Sequence, residues 1–71
     1  MSQNDTTKHI SAKLRTLRLN KNMTQAEVAK LATTDTNYYA KIERGEAVPS
    51  LKTFLKIVRA LKAKSSDILP Y

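Results

Sequence analysis

Asn37 and Lys41 stand four residues apart, one turn of a helix, with Thr36 just ahead of them in the run Asp35-Thr36-Asn37-Tyr38-Tyr39-Ala40-Lys41. Those side-chain types carry what reading a nucleic-acid base edge requires. An Asn amide can make two hydrogen bonds to adenine N6 and N7, a Thr can bond a base or pack on a thymine methyl, and a Lys can reach guanine or a phosphate. Tyr38, between them, offers a hydroxyl to a phosphate or base edge on an otherwise apolar ring. The same four residues would also serve as a plain solvated helix face, which is the commoner fate of polar residues on an arbitrary helix.

Charge favours a polyanionic partner. Thirteen Lys and Arg against six Asp and Glu give a net charge of +7 and an isoelectric point near 10.0, enough to attract nucleic acid strongly. Such an excess can also serve solubility or an anionic membrane surface. Catalysis has no equipment: the sole His9 precedes the first helical stripe, and there is no cysteine, no phosphate-cradling glycine loop and no metal-spaced ligand set. No catalytic residue, metal or cofactor is therefore expected. No apolar run approaches the roughly 20 residues that span a bilayer, and the start Met1–Thr7 is polar, unlike a signal peptide; a soluble, cytoplasmic protein is expected.

The elements that must position these residues are helices. A single glycine and two prolines interrupt the chain, and apolar residues recur at three- and four-residue spacing without alternation, so no strand is predicted. Ile10, Leu14 and Leu17 mark a helix over about 9–21, closing near Asn22, with 1–8 as a flexible tail and 9–71 as one domain. Thr24-Gln25-Ala26-Glu27 is a capping box that starts a second helix carrying Val28, Ala29, Leu31 and Ala32. Thr33-Thr34-Asp35 stops it after about two turns, and Asp35 caps a third helix from Thr36 to about Arg44, ended by Gly45. Ser50 caps a fourth, with an apolar stripe of Leu51, Phe54, Leu55, Val58 and Leu61. A fifth short helix is predicted around Ile68 and Leu69, capped by Ser65 or Ser66 and stopped by Pro70.

From Met23 to Gly45 the order of capping box, short helix, tight turn, capped helix and glycine stop has the punctuation of a helix-turn-helix. The segments Met23-Thr24-Gln25-Ala26-Glu27-Val28-Ala29, Ile42-Glu43-Arg44-Gly45, Pro49-Ser50-Leu51 and Leu14-Arg15-Thr16-Leu17-Arg18 resemble the Cro/CI-type (Xre-like) regulators of phages and bacteria over about Ile10–Leu69. This resemblance implies an all-α, compact five-helix, lambda-repressor-like domain in which helices 2 and 3 form the helix-turn-helix and the third enters the major groove of double-stranded DNA. It makes Thr36, Asn37, Tyr38 and Lys41 candidates for base contact, since the first turn of a recognition helix reaches base edges.

Gln25, beside the free amides of the second helix's start, is a candidate phosphate contact. Lys52 and Arg44 join it because the loop between helices 3 and 4 commonly faces the DNA backbone in similar domains. Arg18 and Glu43 resemble a structural ion pair joining helix 1 to the end of helix 3. Three positions depart from the family pattern: Thr33 for the usual Gly, Thr34 for an apolar residue, and Tyr39 for Ile or Val. Thr33 is expected to avoid the left-handed conformation, which costs a β-branched residue roughly 1–2 kcal/mol, and Tyr39 to be mostly buried with its hydroxyl at the edge.

Taken together, the expected function is a small transcriptional regulator, acting as a homodimer on a two-part operator, with Ile68, Leu69 and Tyr71 as interface candidates and no small-molecule effector. The competing role is a DNA-binding antitoxin or protein-interaction adaptor on the same fold; antitoxins usually add a toxin-binding segment, and none is expected after the last turn. Helix 4 read as a basic amphipathic membrane binder is less favoured, because its apolar face is needed for the core.

Overall fold

A computed structural model describes the backbone of residues 3–64 and 67–68, and the side chains from Thr6 onward. Four helices form: α1 (Gln3–Asn20), α2 (Gln25–Leu31), α3 (Thr36–Glu43) and α4 (Leu51–Ala60). α2 lies against both α3 and α4, and α1 packs on α3.

Local chemistry sets three of the starts. The Thr24 hydroxyl accepts from the Glu27 amide at 3.0 Å while the Glu27 carboxylate accepts from the Thr24 amide at 2.8 Å. The Asp35 carboxylate accepts from the Tyr38 amide at 3.1 Å, and the Ser50 hydroxyl from the Thr53 amide at 3.2 Å. α1 begins at Gln3 and so includes most of the stretch read as a tail. Its early turns are tied down by Ser11, whose hydroxyl lies 2.8 Å from the Thr7 carbonyl and 2.7 Å from that of Ile42 on α3.

All four helices stop in the same way. At each end one amide bonds the carbonyl five residues back: Met23 to Arg18, Thr34 to Ala29, Glu46 to Lys41 and Ala63 to Val58, at 2.9–3.1 Å. The residue just before each of those donors takes positive φ: Asn22 at 55°, Thr33 at 51°, Gly45 at 76° and Lys62 at 53°. Only one of them is glycine, which adopts this conformation without a Cβ penalty. Thr33 corrects the expectation that a β-branched residue would avoid it. The turn between α2 and α3 is too short to reverse the chain otherwise, and the Thr33 and Thr34 amides satisfy the Lys30 and Ala29 carbonyls only in this geometry.

The expected fifth helix is not formed among the described residues, which is the one correction to the fold class: those residues form four α-helices and not five. Beyond Lys62 the Asp67 amide bonds the Lys64 carbonyl at 2.9 Å, three residues back, while the Asp67 carboxylate accepts from the Lys64 amide at 2.9 Å. That pins a single tight turn. Both bonds join residues three apart, whereas an α-helix continues by bonds four apart. The turn still serves packing, because Ile68 is fully buried.

The core is mainly aliphatic, with two aromatic rings, Tyr39 and Phe54. Leu14 from α1, Val28 and Ala29 from α2, Tyr39 and Ile42 from α3, and Phe54, Ile57, Val58 and Leu61 from the α4 region form one buried cluster. Ile10 and Leu17 seal its edge. Two of the predicted α4 core residues face outward instead: Leu51 begins the helix, and Leu55 lies about 100° around it from Phe54, while Ile57 turns in. Leu31 is likewise exposed at the end of α2.

Candidate nucleic-acid interface

α3 is a two-faced helix. Tyr39, Ile42 and Glu43 are buried on the side toward α1 and α2, and Thr36, Asn37 and Lys41 are exposed on the other. The Asp35 cap holds the first turn without involving the side chains of Thr36 and Asn37, which make no hydrogen bond to the described chain. Tyr38 differs: half-buried, it packs its ring on the edge of the core. The outward face therefore presents a Thr hydroxyl, an Asn amide and a Lys ammonium, donors and acceptors of the kinds that match a major-groove edge.

Behind this face sits a charged network. Arg18 Nε donates to Glu43 Oε2 at 2.7 Å and Nη2 to Oε1 at 3.0 Å, while Nη1 donates to the Met23 carbonyl at 2.9 Å. Gln25 Nε2 donates to Glu43 Oε1 at 3.1 Å. The carboxylate at the end of α3 thus ties α1 to the first residue of α2, and Arg18 extends the network to the turn before α2. Burial works to raise the Glu43 carboxyl, but the Arg18 guanidinium, with help from Tyr39 and Gln25, outweighs it and holds the group below its ordinary value. The pair is a charge-assisted, two-pronged contact of the stronger kind.

The Tyr39 hydroxyl corrects a further expectation. It lies inside, not at the edge, and no partner meets hydrogen-bond geometry, although it is close enough to Glu43 to feel its charge. Burial pushes its phenol well above the ordinary value. The aromatic ring at this position fills the volume between α1, α2 and α3, which carries the hydroxyl deeper than an edge position.

The three phosphate candidates sit differently. Gln25 is half-buried with one amide hydrogen engaged by Glu43, leaving the second N–H available. Arg44 is paired with Glu46 at 2.7 Å, both about half exposed, a solvent-screened surface contact that a phosphate can displace. Lys52 is exposed in the first turn of α4. Arg15 escaped the sequence reading. It is exposed on α1 and lines two adjoining grooves, one with Arg18, Gln25, Glu43 and Arg44 and the other with Lys8, Ser11, Thr16 and Gly45. The seven-residue spacing of Lys8 and Arg15, which sets both on one side of α1, was the available signal.

Residues 14–69 match the helix-turn-helix family, spanning most of the chain and all of the residues that build this face. The chain belongs to the Cro/CI-type helix-turn-helix family. This helix-turn-helix protein is similar to the restriction-modification controller protein C.AhdI from Aeromonas hydrophila, at 30% identity and a TM-score of 0.85 over 89% of this chain and 96% of that one. It is similar to the clp gene regulator ClgR from C. glutamicum, at 27% identity and a TM-score of 0.82 over 87% of this chain and 80% of that one. It also resembles the restriction-modification controller C.Esp1396I, solved as a tetramer in complex with its natural 35 base-pair operator, at 26% identity and a TM-score of 0.81 over 93% of this chain and 84% of that one. No curated protein matches the sequence. No helix among the described residues is long and apolar enough to cross a membrane.

Proposed function

We propose that this helix-turn-helix protein is a transcriptional regulator of the cytoplasm that binds double-stranded DNA sequence-specifically as a homodimer, and that it is a binding protein and not an enzyme. The observation that carries this is the outward face of α3, where Thr36, Asn37 and Lys41 are exposed and uncommitted on a helix whose other side is locked into the core. Thr36, Asn37 and Lys41, with Tyr38 beside them, are assigned to base edges, and Gln25, Arg44 and Lys52 to phosphates. Arg18 and Glu43 act by holding α3 against α1. The controller and regulator proteins similar in fold and sequence support the assignment.

Two copies are required by size. The domain is 32 Å in its longest dimension and carries one such helix, whereas two helices entering successive major grooves on one side of B-DNA stand about 34 Å apart.

The test is selection of bound duplexes from a random pool, followed by titration at several salt concentrations. Affinity is expected to fall linearly on a log–log plot as counterions are released. Asn37→Ala should relax preference at one base position, losing about 1–3 kcal/mol of discrimination, and Lys52→Ala should weaken all sequences alike and reduce the salt slope by about 1. Equal losses across all sequences for both variants, or no enrichment from the pool, would refute the assignment.

A further inference from the structure

Glu46 stands apart from the other acidic side chains described. Glu27, Asp35 and Asp67 each accept from a backbone amide at the start of a helix or turn, and Glu43 holds Arg18 and Gln25. Glu46, by contrast, bonds only Arg44 among the described residues: Arg44 Nε donates to its Oε2 at 2.7 Å and Nη2 to its Oε1 at 3.4 Å. Both side chains are about half exposed. A solvent-screened pair of this kind adds little to folding, so its consequence lies in what it occupies.

It occupies the fork of a guanidinium assigned above to a DNA phosphate. Arg offers two parallel N–H groups to a carboxylate and to a phosphate alike, so Glu46 stands on Arg44 where a backbone phosphate would. The main chain sets its place: Gly45 takes φ 76° and the Glu46 amide bonds the Lys41 carbonyl at 2.9 Å, which folds the chain back over the last turn of α3. The carboxylate is thereby held near two of the cations assigned to DNA. The Arg44 guanidinium, with Lys41 adding to it, keeps the Glu46 carboxyl below its ordinary value despite desolvation, so it is charged at neutral pH.

We propose that Glu46 is an internal competitor for the DNA backbone: its carboxylate masks Arg44 in the free protein, has to be displaced when a phosphate arrives, and so lowers both the affinity and the salt dependence of DNA binding. The proposal rests on the DNA-binding function above and deepens it. In wild type, docking exchanges one partner of Arg44 for another and leaves Glu46 as a negative charge beside a phosphate. With Glu46 neutral, Arg44 meets the phosphate already free, and one more cation takes part in releasing counterions. Each effect is small at an exposed site, and together they amount to about three- to tenfold in affinity at low salt. Both fade as the Debye length shrinks from about 10 Å at 0.1 M salt to about 3 Å at 1 M.

The experiment titrates wild type, Glu46→Gln, Arg44→Gln and the double variant with a selected duplex carrying one half-site, at several salt concentrations. A single half-site keeps the pairing of two copies out of the comparison; of the interface candidates considered from sequence, Ile68 is fully buried, and Leu69 and Tyr71 lie outside the described residues. Glu46→Gln should bind about three- to tenfold more tightly at low salt, with a salt slope steeper by up to about 1, and converge on wild type at high salt. In the Arg44→Gln background the same replacement should lose most of its effect, leaving less than about twofold. All four proteins should melt within about 4 °C of one another, and Glu46→Ala should repeat the Gln result. Wild type and Glu46→Gln are also titrated with short inorganic polyphosphate, followed by the Arg44 Nε–H magnetic resonance signal, and the variant should bind it more tightly.

Equal tightening with and without Arg44 would make Glu46 a general charge effect and overturn the masking, as would unchanged or weaker binding by Glu46→Gln. A lower melting temperature with unchanged affinity would assign the pair to folding and overturn it too. If wild type binds no duplex, the DNA-binding function fails separately, and the polyphosphate titration alone decides whether Glu46 masks Arg44.

Discussion

Replacing Arg18 by Ala should be one of the most damaging single changes available outside the apolar core. Arg18 and Glu43 are only 11% and 3% exposed at their side chains, and removing the guanidinium deletes three hydrogen bonds at 2.7, 3.0 and 2.9 Å. The Glu43 carboxylate is then left with the Gln25 amide as its remaining hydrogen-bond donor, at 3.1 Å. Stranding a fully buried charge costs about 3–5 kcal/mol. Here the adjoining groove, lined by Arg15, Gln25, Glu43 and Arg44, admits water once the guanidinium is gone, so the expected loss is about 2–3 kcal/mol.

Against a total of roughly 4–10 kcal/mol for a chain of this length, that is a large share. It corresponds to a fall in melting temperature of about 10–20 °C at pH 7, followed by far-ultraviolet circular dichroism. Acidity gives a second handle. The folded Glu43 carboxyl sits below its ordinary value, so the pair stabilises fully above the unfolded value near pH 4.3 and loses that contribution as pH falls through the folded value. Without Arg18 burial is opposed only by the weaker help of Tyr39 and Gln25, and Glu43 takes up a proton at higher pH. The gap between wild type and variant should therefore be widest near neutrality and narrow below about pH 4. A fall of less than about 4 °C at pH 7, or a gap that widens in acid, would refute the ion-pair reasoning.

Thr33→Gly should raise stability by up to about 1 kcal/mol in urea unfolding, because relief of a β-branched residue at φ 51° outweighs the added freedom of glycine in the unfolded chain; a loss would mean that the Thr33 hydroxyl bond to the Ala32 carbonyl matters more. Tyr39→Phe should be neutral or stabilising by about 1 kcal/mol, since it deletes a buried hydroxyl without a good partner, and a destabilisation beyond about 1 kcal/mol would show that the hydroxyl supports Glu43 after all. Ile68→Ala should cost about 2–4 kcal/mol by opening a cavity in the core, although the residue lies in no α-helix; a melting temperature equal to wild type would remove that residue from the core.

The sequence by itself determined where the helices after α1 begin. A capping box, an Asp cap and a Ser cap each act within three or four residues, so Thr24, Asp35 and Ser50 carry their meaning locally. It also determined that the exposed residues of α3 would be polar and basic, because the 3.6-residue period separates Tyr39 and Ile42 from Asn37 and Lys41.

The helix ends were only partly legible. Gly45 announces a left-handed stop, but Thr33 and Lys62 adopt one because the turns they close are demanded by packing and by the carbonyls left behind them. Along α4 the period marked a stripe without fixing its centre, and contact with α2 decided that Ile57 goes in while Leu51 and Leu55 stay out. The contact between Arg18 and Glu43 spans 25 residues of chain and entered the sequence reading only through a resemblance. That the same carboxylate also takes Gln25, and that Arg18 also holds the Met23 carbonyl, depends on α1, α2 and α3 meeting at one point. Local hydrogen bonds are written in neighbouring residues, whereas the side of a helix that becomes its core, and the company a buried charge keeps, exist only once distant segments have been brought together.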